Sequence, residues 1–123
     1  MSLVDSSVWV ALFLSFDTNH KKAQTLLENL NRPLFIPYSV ILETATVLTY
    51  KHSKKQAENF IDYITGNQDI ILLNNDINEE LNFFKAVEER LSFTDASLIY
   101  LSRKLKCPIA TFDKQLKRVL KKL

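Results

Sequence analysis

Four carboxylates stand where an acid is either an ordinary helix cap or a working group: Asp5, Glu43, Asp95 and Asp113. Asp5 follows the short apolar start Ser2–Val4 and precedes Ser6, Ser7 and an apolar run from Val8. Asp113 follows the apolar stretch Pro108–Thr111 and precedes Lys114. Asp95 opens a helical stretch that is apolar almost all round, with Leu98, Ile99 and Ser102 on its own side. Glu43 lies within a helical stretch, 40–50, on a stripe shared with Val40, Val47 and Tyr50. An aspartate at a helix start commonly caps the backbone, worth about 1 kcal/mol, and for Asp5, Asp95 or Asp113 taken singly that role is sufficient. It fails for Glu43, which is too far into its helix to cap it. It fails again for an inward-facing Asp95, because a buried carboxylate is costly unless something satisfies it.

If these acids gather, like charges ~4 Å apart repel by roughly 4 kcal/mol at an effective dielectric near 20. Only Lys114 adjoins any of the four motifs as a basic neighbour. A divalent cation is therefore the economical counter-charge, and hard oxygen donors without a Cys or His cluster select Mg²⁺ or Mn²⁺ over zinc.

The elements that must position these acids follow from apolar spacing. Short apolar runs at Ser2–Asp5, Leu34–Ile36, Ile70–Leu73 and Pro108–Thr111 read as buried strands. Helical stretches separate them. The first starts near Ser7 and spends the apolar run to Phe16; the second carries Ala23, Leu26, Leu27 and Leu30 and ends near Pro33. After the 40–50 helix, Ser53 with Gln56 forms a capping box for a helix bearing Ala57, Phe60, Ile61 and Ile64, with Gly66 as its stop. Asp76 with Glu79 opens another, with Ile77, Leu81, Phe84, Val87 and Leu91 as its apolar face. The last helix runs from about Lys114 through Leu116, Val119, Leu120 and Leu123. Strands alternating with crossover-length helical stretches predict one α/β domain over residues 1–123 with a mainly parallel sheet. In such a sheet ligands gather where the strand order reverses, so neighbouring first and fourth strands would bring Asp5 and Asp113 together.

Composition narrows the function classes. A lone cysteine, Cys107, excludes an internal disulfide and a cysteine-built metal site, and suits a reducing compartment. A single glycine, Gly66, excludes phosphate-cradling glycine loops. The N-terminal stretch lacks the features of a signal peptide and no apolar run is long enough for a membrane span, which leads to the expectation of a cytoplasmic protein without a membrane partner. The net charge is only +2, but sixteen Lys and Arg face ten acids once the four candidates are set aside. Lys114, Lys117, Arg118, Lys121 and Lys122 run through the tail without an acid, a surface suited to a polyanion. His20 and His52 read as surface residues, and Trp9 and Cys107 as packing.

The order Val4-Asp5-Ser6-Ser7, Glu43 in the helix after Ile36-Pro37, Ser92-Phe93-Thr94-Asp95-Ala96, and Ala110-Thr111-Phe112-Asp113-Lys114 resembles the PIN-domain ribonucleases. It is most similar to the toxin subunits of the VapBC toxin–antitoxin systems. The resemblance implies a PIN-like three-layer sandwich around a mainly parallel sheet in the order 3-2-1-4-5. It further implies one or two Mg²⁺ or Mn²⁺ ions at Asp5, Glu43, Asp95 and Asp113, and an endoribonuclease restrained by a bound antitoxin. Ser7 and Thr111 match small polar positions beside the acids. No residues remain after Leu123 for the fifth strand, so four strands are expected, with the fifth open.

The reaction so implied is metal-assisted hydrolysis of an RNA phosphodiester, with Asp5 and Asp113 as the first direct ligands and Glu43 able to orient water as a base. A non-catalytic PIN-like module that binds RNA or protein is the alternative. A phosphatase would want a second acid two residues after the first, where Ser7 stands, and a receiver domain would want a paired acid motif near the start, which is absent. Excess apolar surface on the third and fourth helices would suit a homodimer or an antitoxin groove.

Overall fold

The structure, a computed structural model, describes residues 1–122, and Leu123, expected on the last helix, lies outside the described residues. Four short strands, β1 (Ser2–Val4), β2 (Leu34–Ile36), β3 (Ile70–Leu72) and β4 (Ile109–Ala110), pair in parallel in the order β3-β2-β1-β4. Seven helices flank this sheet among the described residues: α1 (Ser6–Phe13), α2 (His20–Asn29), α3 (Tyr38–Lys51), α4 (Lys54–Gly66), α5 (Ile77–Ala86), α6 (Phe93–Leu105) and α7 (Lys114–Lys122). The chain steps outward from β1 through β2 to β3, then crosses back to lay β4 on the other side of β1. The reversal therefore falls between β1 and β4, with Leu3 opposite Ile109 and Val4 opposite Ala110. A fifth strand does not occur among the described residues, and β4 is an edge of the sheet.

The central strands are apolar without alternation because helices cover both faces. β1 is buried along its whole length, whereas Ile71 and Leu72 of β3 are exposed at the far edge. Trp9 and Phe60 are both fully buried, with ring centroids 5.9 Å apart, and Phe13 meets Phe60 edge-on at 5.6 Å; together they pack α1 against α4.

The last carbonyls of a helix need partners, and α1 receives two from other helices. His20 Nδ1 lies 2.8 Å from the Ala11 carbonyl, and Gln56 Nε2 donates to the Phe13 carbonyl at 2.6 Å. This alters the capping box read from the sequence. Ser53 does accept the Gln56 amide at 3.0 Å, but the Gln56 side chain is spent on α1 and Ser53 N–H bonds Leu48 O instead.

Two apolar faces differ from expectation. In α3 the buried seam is Val40, Thr44 and Leu48, and Tyr50, placed on the inward stripe by periodicity, is 85% exposed. In α5, which ends at Ala86 and does not reach Val87 or Leu91, Ile77, Leu81 and Phe84 are exposed while Glu80 is buried. Glu80 accepts hydrogen bonds from Ser97 Oγ on α6 and from Asn75 Nδ2, so polar partners turn this helix and leave its apolar side outward. Phe60→Ala is expected to cost about 3–5 kcal/mol in denaturant unfolding, and Tyr50→Ala to stay within about 0.5 kcal/mol of the parent. Equal effects would contradict this division between core and surface.

Candidate active site

Asp5 is 3% exposed and occupies the cap position of α1, yet its side chain makes no bond to the helix amides. Its carboxylate takes hydroxyls instead. Ser7 Oγ donates to Oδ2 at 2.8 Å and Thr111 Oγ1 donates to the same oxygen at 2.7 Å. Each hydroxyl also accepts a backbone amide, Ser7 from Phe112 N–H and Thr111 from Asp113 N–H, both at 3.0 Å. A hydroxyl has one proton, and both protons are given to Asp5. The 3.3 Å between Ser7 Oγ and Thr111 Oγ1 is then a contact without a shared proton. This network, with Asp5 N–H bonded to Ala110 O at 2.9 Å, ties the exit of β1 to the exit of β4.

The capping role that fails for Asp5 holds for Asp113, whose Oδ1 accepts the Leu116 amide at 3.0 Å. Among the described residues its Oδ2 has no hydrogen-bond partner. Asp95 is the third residue of α6, capped by Ser92, whose Oγ accepts the Asp95 amide at 3.1 Å. Half-buried, its carboxyl is pushed up from 3.8 to about 6, first by burial and then by the charges of Asp5, Asp113 and Glu43; the Ser92 hydroxyl pulls the other way. Acids from four elements thus share one electrostatic neighbourhood at the carboxyl edge of the sheet, beside the reversal point.

Glu43 differs from its expected place. It is exposed on α3, not turned in with Val40. It reaches the other acids through Ser6, whose Oγ donates to Glu43 Oε1 at 2.7 Å and lies 3.4 Å from Asp5 Oδ1. Ser6 is absent from the candidates read from the sequence. Its signal was present in the hydroxyl pair that follows Asp5, but sequence alone does not tell which of two serines turns toward a helix 37 residues away.

Among the described residues no counter-charge meets these acids. The three ion pairs among the described residues, Arg32–Asp69, Lys104–Glu79 and Lys122–Glu89, all lie elsewhere. The donor set, carboxylates and hydroxyls with no imidazole or thiolate, fits a hard divalent cation. As the side chains lie, no three His, Cys, Asp or Glu groups among the described residues converge on one point at ligand distance. The donor chemistry fits such a cation although the side chains stand apart. Mutual repulsion keeps uncompensated carboxylates apart, so a cation would have to draw these side chains inward.

A family model described as the PIN domain matches residues 2–122. Among solved structures, Mycobacterium tuberculosis VapC20, described as a sarcin–ricin loop cleaving toxin, matches with a TM-score of 0.87 at 21% identity, covering 97% of this chain and 95% of that one. A toxin–antitoxin complex from Klebsiella pneumoniae gives 0.64 at 18% identity, covering 92% and 87%. PAE2754 from Pyrobaculum aerophilum gives 0.59 at 21% identity, covering 94% and 81%. A search of curated proteins finds no significant match.

The raised Asp95 carboxyl has a defined pH consequence. The unfolded chain releases this proton near 3.8 and the folded chain near 6, so between these values the native state holds more protons and stability declines as pH rises. In protein kept free of divalent cations, Asp95→Asn is expected to raise the melting temperature by a few degrees at pH 8, with the gain fading toward pH 4. A variant less stable than the parent at pH 8 would contradict the repulsion.

Proposed function

We propose that this chain, which belongs to the PIN domain family, is a Mg²⁺- or Mn²⁺-dependent endoribonuclease and the toxin of a toxin–antitoxin pair, formed by one domain over residues 1–123. The observation that carries this reading is a group of four acids from separate elements, Asp5, Glu43, Asp95 and Asp113, that no ion pair among the described residues reaches; burial and then the charges of Asp5, Asp113 and Glu43 push the Asp95 carboxyl up. The small polar residues fit as supports. Ser7 and Thr111 occupy Oδ2 of Asp5 and leave Oδ1 open, while Asp113 keeps Oδ2 open.

In this reading Asp5 and Asp113 would hold a divalent cation directly, with Asp95 completing its charge balance. The cation, when bound, supplies a Lewis acid for the phosphoryl oxygen and a lowered pKa for the attacking water. Glu43, with Oε1 engaged by Ser6, would take a proton from an attacking water through Oε2. The exposed face of α7, with Lys114, Lys117, Arg118 and Lys121, begins beside Asp113 and offers a positive path for the RNA backbone.

Cytoplasmic placement fits a ribonuclease with one buried free thiol, Cys107, and no described helix is long and apolar enough to cross a membrane. A structural neighbour described as a sarcin–ricin loop cleaving toxin makes that loop the first substrate to try. A relative described as a toxin–antitoxin complex supports a cognate antitoxin as partner.

For self-association the apolar surplus lies on α3 and α5 more than on α4. Tyr38, Leu42, Ile77, Leu81 and Phe84 are 64, 51, 47, 43 and 40% exposed. The first four border a cavity of about 440 Å³. A patch of this kind suits a two-fold homodimer.

The test incubates purified protein with a structured hairpin and with single-stranded RNA, in Mg²⁺, in Mn²⁺ and in chelator. Cleavage is expected with either ion, abolished by chelator and reduced by ~10²-fold or more in Asp5→Asn and Asp95→Asn. Cleavage that persists in chelator or in both variants overturns the metal mechanism, and binding without cleavage would identify a non-catalytic module. The dimer is tested separately by light scattering, where Leu42→Glu combined with Leu81→Glu is expected to halve the mass; a parent that is already monomeric overturns it.

A further inference from the structure

Ser6 is the first residue of α1 and only 5% exposed, but its hydroxyl bonds no backbone group among the described residues. A serine at a helix start ordinarily serves nearby amides. This one faces two carboxylates. Its distance to Glu43 Oε1, 2.7 Å, is that of a strong O–H···O⁻ bond, whereas 3.4 Å to Asp5 Oδ1 is at the outer limit of bonding. With a single proton to give, Ser6 gives it to Glu43.

Glu43 has no other restraint of this kind. It is exposed on α3, its neighbours Leu42 and Thr46 are exposed as well, and no ion pair or second hydrogen bond among the described residues fixes its carboxylate. A glutamate in such a setting samples many rotamers unless one contact selects among them.

We propose that Ser6 is a positioning residue that locks the Glu43 carboxylate in the orientation its role requires. The buried start of α1 supplies the fixed point and the exposed turn of α3 the group being held. The bond assigns separate duties to the two oxygens of Glu43: Oε1 is held by Ser6, and Oε2 is presented to water or substrate. Because Ser6 favours Glu43 over Asp5, Asp5 Oδ1 remains open while the lock is closed. The part of this inference that concerns catalysis rests on the ribonuclease reading; the lock itself does not.

The experiment compares the parent with Ser6→Ala, Ser6→Thr, Glu43→Ala and the double variant Ser6→Ala/Glu43→Ala. The first readout, in cation-free protein, is the rotamer state of Glu43 from side-chain scalar couplings in solution NMR. One dominant rotamer is expected in the parent, averaging in Ser6→Ala, and recovery in Ser6→Thr, whose hydroxyl can make the same bond. The second readout is RNA cleavage with Mn²⁺. Ser6→Ala is expected to lower kcat by ~10–100-fold with KM little changed, Ser6→Thr to restore most of it, and Ser6→Ala to add little to the loss already caused by Glu43→Ala. Unfolding curves control for a general loss of structure, which Ser6→Thr would not repair. Unaltered Glu43 rotamers in Ser6→Ala, or activity losses that simply add, would overturn the proposal. A parent that cleaves no RNA would count against the ribonuclease reading alone, and the NMR comparison would still decide the lock.

Discussion

The lateral pairing of β1 with β4 is the constraint on which the rest depends. It places the fourth and fifth residues of the chain beside positions 110 and 111, and it is closed by Asp5 N–H on Ala110 O. Without that pairing Asp5 would be an aspartate near a chain terminus, and Asp113 an ordinary cap on a basic helix. With it, Thr111 delivers its proton to Asp5 while receiving the amide of Asp113, so one threonine hydroxyl bonds groups from both acids. Two short hydroxyl bonds on a single oxygen compensate much of the cost of burying Asp5. They do so without spending the other oxygen, and they add no positive charge that would compete with a cation.

The same arrangement carries an electrostatic debt. Burial first, and then the two acids at the reversal point and a third reached through Ser6, make ionisation of Asp95 less favourable than in the unfolded chain. Natural structures tolerate such local conflict where a site requires it and compensate elsewhere. The compensation here is the packing directly behind the acids. α1 is anchored by Trp9 in the aromatic cluster with Phe60, and α6 buries Leu98, Ile99 and Leu101 within about two turns of Asp95. Side-chain hydroxyls and amides, not ion pairs, finish the local structure: Ser7, Thr111, Ser92 and Gln56 each close a gap left by a strand or helix end.

Much of this was legible in the residues. The order of elements and the parallel sheet follow from apolar runs of strand length between helical stretches, because crossover geometry allows few alternatives; the meeting of the first and fourth strands was only conditional on those runs and rested on the resemblance to the PIN domain, and the structure shows it. The acids at element ends were legible for the same reason. Glu43 was harder: spacing groups Glu43 with Val40, but burial selects the seam through Thr44 and Leu48 and leaves Glu43 about 100° away on its outer flank. In α5 the periodic apolar face is real, but periodicity does not say what covers it. The buried Glu80 bonds to Ser97 and Asn75 and turns that face outward. Hydroxyl contacts such as Ser6 to Glu43 span distant segments and are too specific in direction to be read from spacing.

α3 shows how closely the two kinds of surface are joined. Consecutive residues on a helix point about 100° apart, and here Leu42 borders the apolar cavity with Tyr38 while Glu43 turns to Ser6. The buried seam fixes the helix axis, so neither side chain needs the other to set its direction. Tyr38 and Leu42 are the exposed side of the first turn of α3, with buried Val40 between them, and they stand just before Glu43. The Ser6 contact thus lies on one flank of the buried seam and the apolar face on the other. A helix of 14 residues with one buried seam has room for both.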